Sequence, residues 1–227
     1  MLTGLAWLAL EVKYLQRSRR FYEETLDLSV REATDREVRF EAGDTAFVCR
    51  RSDGIPRGGL HTHFAFSIPA GEYDDWWDRL ADEYDLTEFQ FGSARSLYLY
   101  DPDGNCVELG QREVTGPGID GIFEVVLEVE SLERARAFYA DLGFETVDRG
   151  DERTRVRMTG PVDLELWEPQ LGLADARGGV HVDLGFETPK PETALEAVEE
   201  RVRLLERGSD RVVVADPDGH VLAFVSQ

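Results

Sequence analysis

Leu8-Ala-Leu-Glu-Val12, followed by Phe21-Tyr-Glu-Glu-Thr-Leu-Asp-Leu28, is the stretch that decides the fold of this chain. It returns in the second half as Val125-Val-Leu-Glu-Val129, followed by Phe138-Tyr-Ala-Asp-Leu-Gly-Phe144. Leu8, Leu10 and Val12 alternate with the residues between them, which is typical of a strand with one buried face. The Phe-Tyr segments predict the helices that follow the two strands. The chain therefore reads as a tandem duplication of a strand–helix unit.

A second pair of repeats divides each half again. Gly58-Gly-Leu-His-Thr-His-Phe-Ala-Phe66 is matched by Gly178-Gly-Val-His-Val-Asp-Leu-Gly-Phe186, and a helical stretch follows each. In the second of these, Leu195, Val198, Val202 and Leu205 recur at helical spacing and predict one amphipathic helix. Asp-Pro-Asp-Gly then occurs at 101–104 and 216–219. Because proline presets φ and glycine tolerates positive φ, each is expected to be the turn between the last two strands of its unit.

These repeats predict an α+β fold of four β-α-β-β-β modules. The modules are assigned to residues 1–55, 58–113, 119–170 and 178–227. Modules 1 and 2 make a first domain over 1–114, and modules 3 and 4 a second over 119–227, with the linker Thr115-Gly-Pro-Gly118 between them.

The charge balance of the 227 residues excludes several classes of protein. Asp and Glu number 46 against 25 Lys and Arg, so the formal net charge is −21. Such a surface repels nucleic-acid phosphates and anionic membranes. Almost all the basic residues are arginine, and the acid excess suggests adaptation to concentrated salt, where self-repulsion is screened.

The compartment is predicted from sequence signals that are missing. No secretory signal or membrane-spanning run is apparent, and Cys49 and Cys106 suggest no disulfide framework. We therefore expect a cytoplasmic protein, and the sequence leaves open whether it is a monomer or a homodimer.

The helices, the GGLHTHFAF strand and the segment Tyr100-Asp-Pro-Asp-Gly-Asn-Cys-Val-Glu-Leu109 resemble the vicinal oxygen chelate superfamily. This superfamily includes glyoxalase I, bleomycin-resistance proteins and extradiol dioxygenases. The resemblance covers essentially the whole chain. It implies that two modules close into a cup that holds a divalent metal. The metal ligands would come from the first and last strands of each module, on the sheet face away from the helices.

Carrying those ligand positions onto this sequence gives two residues per module. They are Trp7 and Val48, His63 and Glu108, Glu124 and Glu165, and Asp183 and Ala223. If consecutive modules pair, both cups have incomplete ligand sets. If modules 2 and 3 pair, as in glyoxalase I enzymes, one cup collects His63, Glu108, Glu124 and Glu165. We favour this second pairing because it concentrates the ligands, and it leaves Trp7 as a plug in an inactive cup.

The favoured quartet predicts a glyoxalase I-like lyase or isomerase with one divalent ion. Imidazole and carboxylate ligands suit Zn, Ni, Co, Mn or Fe. The substrate class implied by the resemblance is an α-ketoaldehyde–thiol adduct that chelates through two neighbouring oxygens. A carboxylate would then remove a proton and form an enediolate, with Glu108 as the first candidate base and Glu165 as the second.

Two alternatives stay open at this point. An extradiol ring-cleaving dioxygenase would need a second histidine in a cup, which could only be His61 or His181. A metal-free protein that binds a small molecule, like the bleomycin-resistance proteins, could use Trp7, Trp76, Trp77 or Trp167 as stacking surfaces. Since acidic residues are abundant everywhere, His63 and the strand parity support the metal site more strongly than the glutamates do.

Overall fold

The computed structural model describes residues 1–52, 62–150, 154–169 and 181–226, and at 181 and 182 only the backbone. Within these ranges the chain forms sixteen strands and four α-helices. Module 1 contains β1 (Gly4–Val12), α1 (Leu15–Arg20), β2 (Val30–Ala33), β3 (Glu37–Ala42) and β4 (Thr45–Arg51). Module 2 contains β5 (Thr62–Pro69), α2 (Tyr73–Leu80), β6 (Thr87–Phe91), β7 (Ala94–Tyr100) and β8 (Cys106–Arg112).

The second half repeats this order, so the predicted α+β fold of four β-α-β-β-β modules is confirmed. Module 3 contains β9 (Gly121–Glu128), α3 (Leu132–Asp141), β10 (Glu145–Arg149), β11 (Arg155–Thr159) and β12 (Asp163–Trp167). Module 4 contains β13 (His181–Glu187), α4 (Pro191–Val198), β14 (Arg203–Arg207), β15 (Arg211–Ala215) and β16 (Val221–Val225). Local chemistry starts the last two helices, because Ser131 caps α3 and Pro191 begins α4.

The strands form two eight-stranded mixed sheets, and each sheet takes one module from each half. One has the order β10-β11-β12-β9-β5-β8-β7-β6, and the other β14-β15-β16-β13-β1-β4-β3-β2. In both, the first strands of two modules meet antiparallel at the centre, β5 with β9 and β1 with β13. Modules 2 and 3 therefore share a sheet, as favoured above. The division into domains 1–114 and 119–227 stays a prediction.

The core lies on the helix side of both sheets. Alternate residues of the central strands, such as Leu8, Leu10, Phe64 and Phe66, are fully buried in one continuous cluster. Phe47 of one sheet stacks on Phe64 of the other with ring centroids 5.3 Å apart. The opposite sheet faces remain available to form the cups.

The Asp-Pro-Asp-Gly turns join the last two strands of modules 2 and 4, as predicted, and they also link the two sheets. Asp101 accepts a 2.6 Å hydrogen bond from the hydroxyl of Tyr22 in module 1. At the equivalent place Asp216 accepts a 2.8 Å bond from Tyr139 in module 3. Both tyrosines are fully buried, so each turn binds a side chain from the helical segment of a module in the other sheet.

The helix predicted through Leu205 is wrong in its second half. The α-helix ends at Val198, and Val202 has the extended angles φ −114° and ψ 157°. Leu205 is exposed and lies in β14, whose backbone pairs with β15. Hydrogen bonds to a neighbouring strand thus outweighed the helical spacing of the side chains.

None of the helices in the described ranges is long and apolar enough to span a membrane.

Candidate metal centre

Strand pairing brings the four favoured ligand positions into one cup, which we call the middle cup because modules 2 and 3 form it. On the central strands, His63 is opposite Val126 and Glu124 is opposite Ala65. The last strand of each module continues this symmetry, since Glu108 pairs with Ala65 and Glu165 pairs with Val126. The quartet therefore occupies two symmetric pairs of positions on four adjacent strands.

The cup of modules 1 and 4, the outer cup, repeats the same pattern of positions. Trp7 is opposite Gly185, and Asp183 is opposite Ala9. Val48 pairs with Ala9, and Ala223 pairs with Gly185. Position by position, Asp183 corresponds to His63, Trp7 to Glu124, Ala223 to Glu108 and Val48 to Glu165. The outer cup therefore has one metal-binding side chain where the middle cup has four.

His63 and Glu108 are the two members of the quartet that lie in contact. His63 Nε2 is 3.3 Å from Glu108 Oε2, and both side chains are buried. Burial alone would raise the pKa of Glu108. Hydrogen bonds with His63, Ser96 and Tyr98 outweigh burial, so its pKa is lowered and the carboxylate stays charged.

Glu124 and Glu165 are held by arginines of the neighbouring strand β11. Arg157 Nη2 lies 2.7 Å from Glu124 Oε2. Arg155 Nη1 lies 3.2 Å from Glu165 Oε1, and the indole N–H of Trp167 donates to Glu165 Oε2 at 2.9 Å. Burial and the charges of Glu165 and Glu108 raise the pKa of Glu124 to about 8, although Arg157 opposes the shift. The three carboxylates therefore repel one another.

The four side chains suit a divalent metal both in their chemical type and in their positions on the strands. One imidazole and three carboxylates are ligands that first-row divalent metals accept, and the repulsion among the carboxylates favours an added cation. As the side chains stand, no group of three His, Cys, Asp or Glu residues in the described part of the chain is arranged to hold an ion. Arg155 and Arg157 supply the countercharge instead. Metal binding would require Glu124 and Glu165 to turn away from these guanidinium groups.

The outer cup is filled by a different network. The indole N–H of Trp7 donates to Asp183 at 2.7 Å, and Arg50 Nη1 lies 2.5 Å from the other Asp183 oxygen. The Trp7 ring covers Gly185 so closely that a Cβ there would meet it at 2.3 Å. The guanidinium carbons of Arg39 and Arg211 lie 6.0 and 5.7 Å from the centre of the ring. Trp7 thus occupies the centre of this cup, where we expected it as a plug.

The sequence reasoning missed the polar side chains on the third strand of each module. Arg155 and Arg157 alternate with the buried Val156 and Met158, so strand parity could have placed them in the cup. The same parity applies to Ser96 and Tyr98, which alternate with Leu97 and Leu99. The signal was present, but the search for ligands was confined to first and last strands.

The residues named for the alternatives have mixed outcomes. His61 and the side chain of His181, the two candidates for a second histidine in a dioxygenase site, lie outside the described residues. Trp76 is buried in α2 against the sheet, and Trp77 packs partly against the same core. Trp167 packs on Val126 at the floor of the middle cup.

Comparison with known proteins supports the superfamily. Residues 4–109 match the family model of the glyoxalase/bleomycin resistance protein/dioxygenase superfamily. Two proteins named metallothiol transferase FosB, from Staphylococcus saprophyticus and Staphylococcus haemolyticus, are 27% and 26% identical over 116 residues. These residues cover 48% of this chain and 77% and 84% of the relatives.

Solved structures share the arrangement of the whole chain. A protein described as a putative dioxygenase from Bacillus subtilis superposes with a TM-score of 0.77 at 17% identity, over 99% of this chain and 85% of the other. Glyoxalase I from Zea mays superposes with a TM-score of 0.70 at 19% identity, over 98% and 92%. At these identities the likeness establishes the fold alone.

Proposed function

Because residues 4–109 match the family model of the glyoxalase/bleomycin resistance protein/dioxygenase superfamily, we propose that this chain is a metal-dependent lyase or isomerase of the glyoxalase I type. Its substrate would carry two neighbouring oxygens, as in the adduct of an α-ketoaldehyde with a thiol. The proposal concerns one active site per chain, in the middle cup.

One observation supports this proposal above the others. Of eight structurally equivalent positions, the four in the middle cup all carry metal-binding side chains, and three of the four in the outer cup do not. A surplus of acid in the composition would have supplied both cups equally. The concentration of His63, Glu108, Glu124 and Glu165 in one cup therefore favours a site built for a cation.

Within this site Glu108 is the better placed base. It is surrounded by His63, Ser96 and Tyr98, which hold it in one orientation without an arginine. Glu165 is bound by Arg155 at one carboxylate oxygen and by the indole N–H of Trp167 at the other, so neither oxygen is turned toward a substrate. Glu108 would take the proton from the carbon next to the substrate carbonyl and return it to the adjacent carbon.

The metal, when bound, would supply Lewis-acid stabilisation of the negative charge that develops on the two substrate oxygens. His63, Glu124 and Glu165 would hold it, with Glu108 as a further ligand in the absence of substrate. Arg155 and Arg157, released from the two glutamates, would remain in the cup as positive charges for an anionic part of the substrate.

Elemental analysis of the purified full-length protein tests the site. We expect about one equivalent of a divalent first-row metal per chain after reconstitution and gel filtration. Glu124→Gln should remove most of it, whereas Asp183→Asn, at the outer-cup position equivalent to His63, should leave the content unchanged. Two equivalents per chain, or equal loss in both variants, would contradict a single middle-cup site.

Turnover tests the reaction. The reconstituted protein should convert the hemithioacetal of methylglyoxal and glutathione into a thioester. The absorbance of the thioester measures the rate. If it instead consumes catechol with Fe²⁺, the dioxygenase reading replaces this one. If the metal-loaded protein is inactive toward both substrates, the metal site is supported but the glyoxalase I activity is contradicted.

A second candidate function is metal-free binding of a small molecule, and one observation favours it. Arg157 and Arg155 already neutralise Glu124 and Glu165, so the cup is stable in charge without a cation. Failure to retain any divalent metal after reconstitution, with both arginines intact, would favour this candidate over the enzyme.

A further inference from the structure

A cleft of about 380 Å³ lies outside both cups, where the first helical segment of module 1 meets the Asp-Pro-Asp-Gly turn of module 2. Its wall includes Arg17, Arg20, Phe21, Tyr84 and Tyr100. The volume falls within the range of about 300–1,000 Å³ that is common for small-ligand pockets. Nothing in the proposed chemistry of the middle cup uses these residues.

The backbone beside the cleft departs from regular helix. After α1 the chain continues as a π-helical turn over Phe21–Thr25, with the Leu26 N–H bonded to the Phe21 carbonyl at 3.1 Å. Asp27 follows with φ 56°, the one positive φ at a non-glycine residue in the described ranges. Wide turns and left-handed residues of this kind are concentrated at functional sites.

Aromatic side chains form the apolar wall of the cleft. Phe21 is buried and meets the Tyr84 ring edge-on, with centroids 5.8 Å apart. The Tyr84 hydroxyl is 3.2 Å from the Thr25 hydroxyl, which fixes the ring. Tyr100 lines the cleft and is 42% exposed, so part of its ring is accessible to a planar ligand.

Two arginines at the opening have no ion pair within the described residues. Arg17 and Arg20 are exposed and three residues apart, so they project from the same side of the helical segment. Arg19, between them, is instead committed to Glu23 at 2.7 Å. Glu24 and Asp101 are the acidic residues of the wall.

Asp101 does not compete for the arginines because its oxygens are already engaged. Oδ2 accepts from Tyr22 and from the Asn105 amide, and Oδ1 accepts from the backbone N–H groups of Asp103 and Asn105. The two acids balance the two arginines of the wall in formal charge, but Glu24 is the one whose oxygens are left to bind them, so guanidinium N–H donors stay available for a ligand.

At the equivalent place in the second half, the arginines are held in ion pairs. Arg134, which corresponds to Arg17, binds Asp218 at 2.6 Å and Glu130 at 3.0 Å. Ala137 replaces Arg20. Arg201 is paired with Asp141 and lies 5.6 Å from the ring of Phe138, the counterpart of Phe21. The two arginines without an ion pair are thus particular to module 1, and Ala215 stands in module 4 where module 2 has the exposed Tyr100.

We propose that this cleft binds a planar aromatic ring that carries an anionic group. The ring packs against Tyr84 and Tyr100, and the carboxylate or phosphate of the ligand binds Arg17 and Arg20. Such a site is independent of the middle cup.

Calorimetric titration of the full-length protein tests the proposal, with benzoate and adenosine monophosphate as probes and with adenosine and inorganic phosphate as partial probes. We expect one site per chain for the complete probes, and at least tenfold weaker binding of either partial probe. The variant Arg17→Gln/Arg20→Gln should lose at least tenfold in affinity, and Glu24→Gln should gain severalfold. Both changes are at exposed positions, so folding should be preserved, which circular dichroism checks.

Matched variants decide where the probe binds. Arg134→Gln, at the equivalent place in module 3, should leave the affinity unchanged, and Tyr100→Ala should weaken binding of the ring-bearing probes only. No binding of either complete probe at millimolar concentration would overturn the proposal. So would unchanged affinity in the double arginine variant, or loss of binding in Glu124→Gln, which would place the probe in the middle cup.

Discussion

The middle and outer cups have the same backbone and opposite chemistry. In each, first strands meet antiparallel and last strands flank them, so eight positions correspond one to one. The middle cup fills its four with an imidazole and three carboxylates, and the outer cup fills its four with Trp7, Val48, Asp183 and Ala223. The difference shows that the strand pairing fixes the positions of possible metal ligands, while the side chains at those positions determine whether a cation can bind.

Each cup also satisfies the carboxylates at its ligand positions in its own way. The outer cup has one, Asp183, which Trp7 and Arg50 fully engage. The middle cup has three that repel one another, with Arg155 and Arg157 beside them. A divalent cation would therefore stabilise the middle cup by reducing the repulsion among its carboxylates. Among the four ligand positions of the outer cup, which hold one carboxylate, there is no such repulsion for a cation to reduce.

The largest expected effect separates the two symmetric glutamates of the middle cup. Glu108→Gln should lower kcat by about 10²–10⁴-fold, the usual contribution of a general base, with metal content largely kept. Glu165→Gln should lower kcat less and metal content more, because Arg155 and Trp167 already occupy both oxygens of Glu165. Steady-state kinetics with metal analysis on the same samples measures both. Equal kcat losses at equal metal content would remove the distinction.

A smaller effect compares one arginine from each cup. Arg50→Gln and Arg157→Gln should each destabilise the fold by about 2 kcal/mol, because each leaves a largely or fully buried carboxylate short of a partner. Added Zn²⁺ or Mn²⁺ should restore the stability of Arg157→Gln and not of Arg50→Gln. A metal at 100 times its Kd contributes about 2.7 kcal/mol. Denaturant unfolding with and without metal measures this, and rescue of both variants, or of neither, would contradict the cup comparison.

The smallest effect concerns the position where the cups differ by one methyl group. Gly185 in the outer cup corresponds to Ala65 in the middle cup, and a Cβ at 185 would meet the Trp7 ring at 2.3 Å. Gly185→Ala should therefore cost about 1–3 kcal/mol from overpacking. In a Trp7→Ala background the same change should cost close to nothing, which a double-mutant cycle of unfolding free energies would reveal. A cost that is equal in both backgrounds would show that Trp7 does not fill the cup.

Much of the fold followed from local patterns. Alternation in the first strands, the repeated Phe-Tyr helices and the Asp-Pro-Asp-Gly turns predicted the modules, and parity placed His63 and Glu108 on the cup side. The same patterns failed in module 4, where Val202 and Leu205 kept helical spacing but the chain turned into β14. Apolar spacing cannot tell a helix from an edge strand whose partner is another segment.

The sequence by itself determined the four modules and their order, because these depend on periodicity within a few residues, and its resemblance to the superfamily supplied the candidate ligands. Only the tertiary structure decided that module 2 pairs with module 3, that Arg157 meets Glu124, and that Asp101 binds Tyr22 of module 1. These contacts join residues far apart in the chain. They exist only once the strands have paired, so no local pattern could specify them.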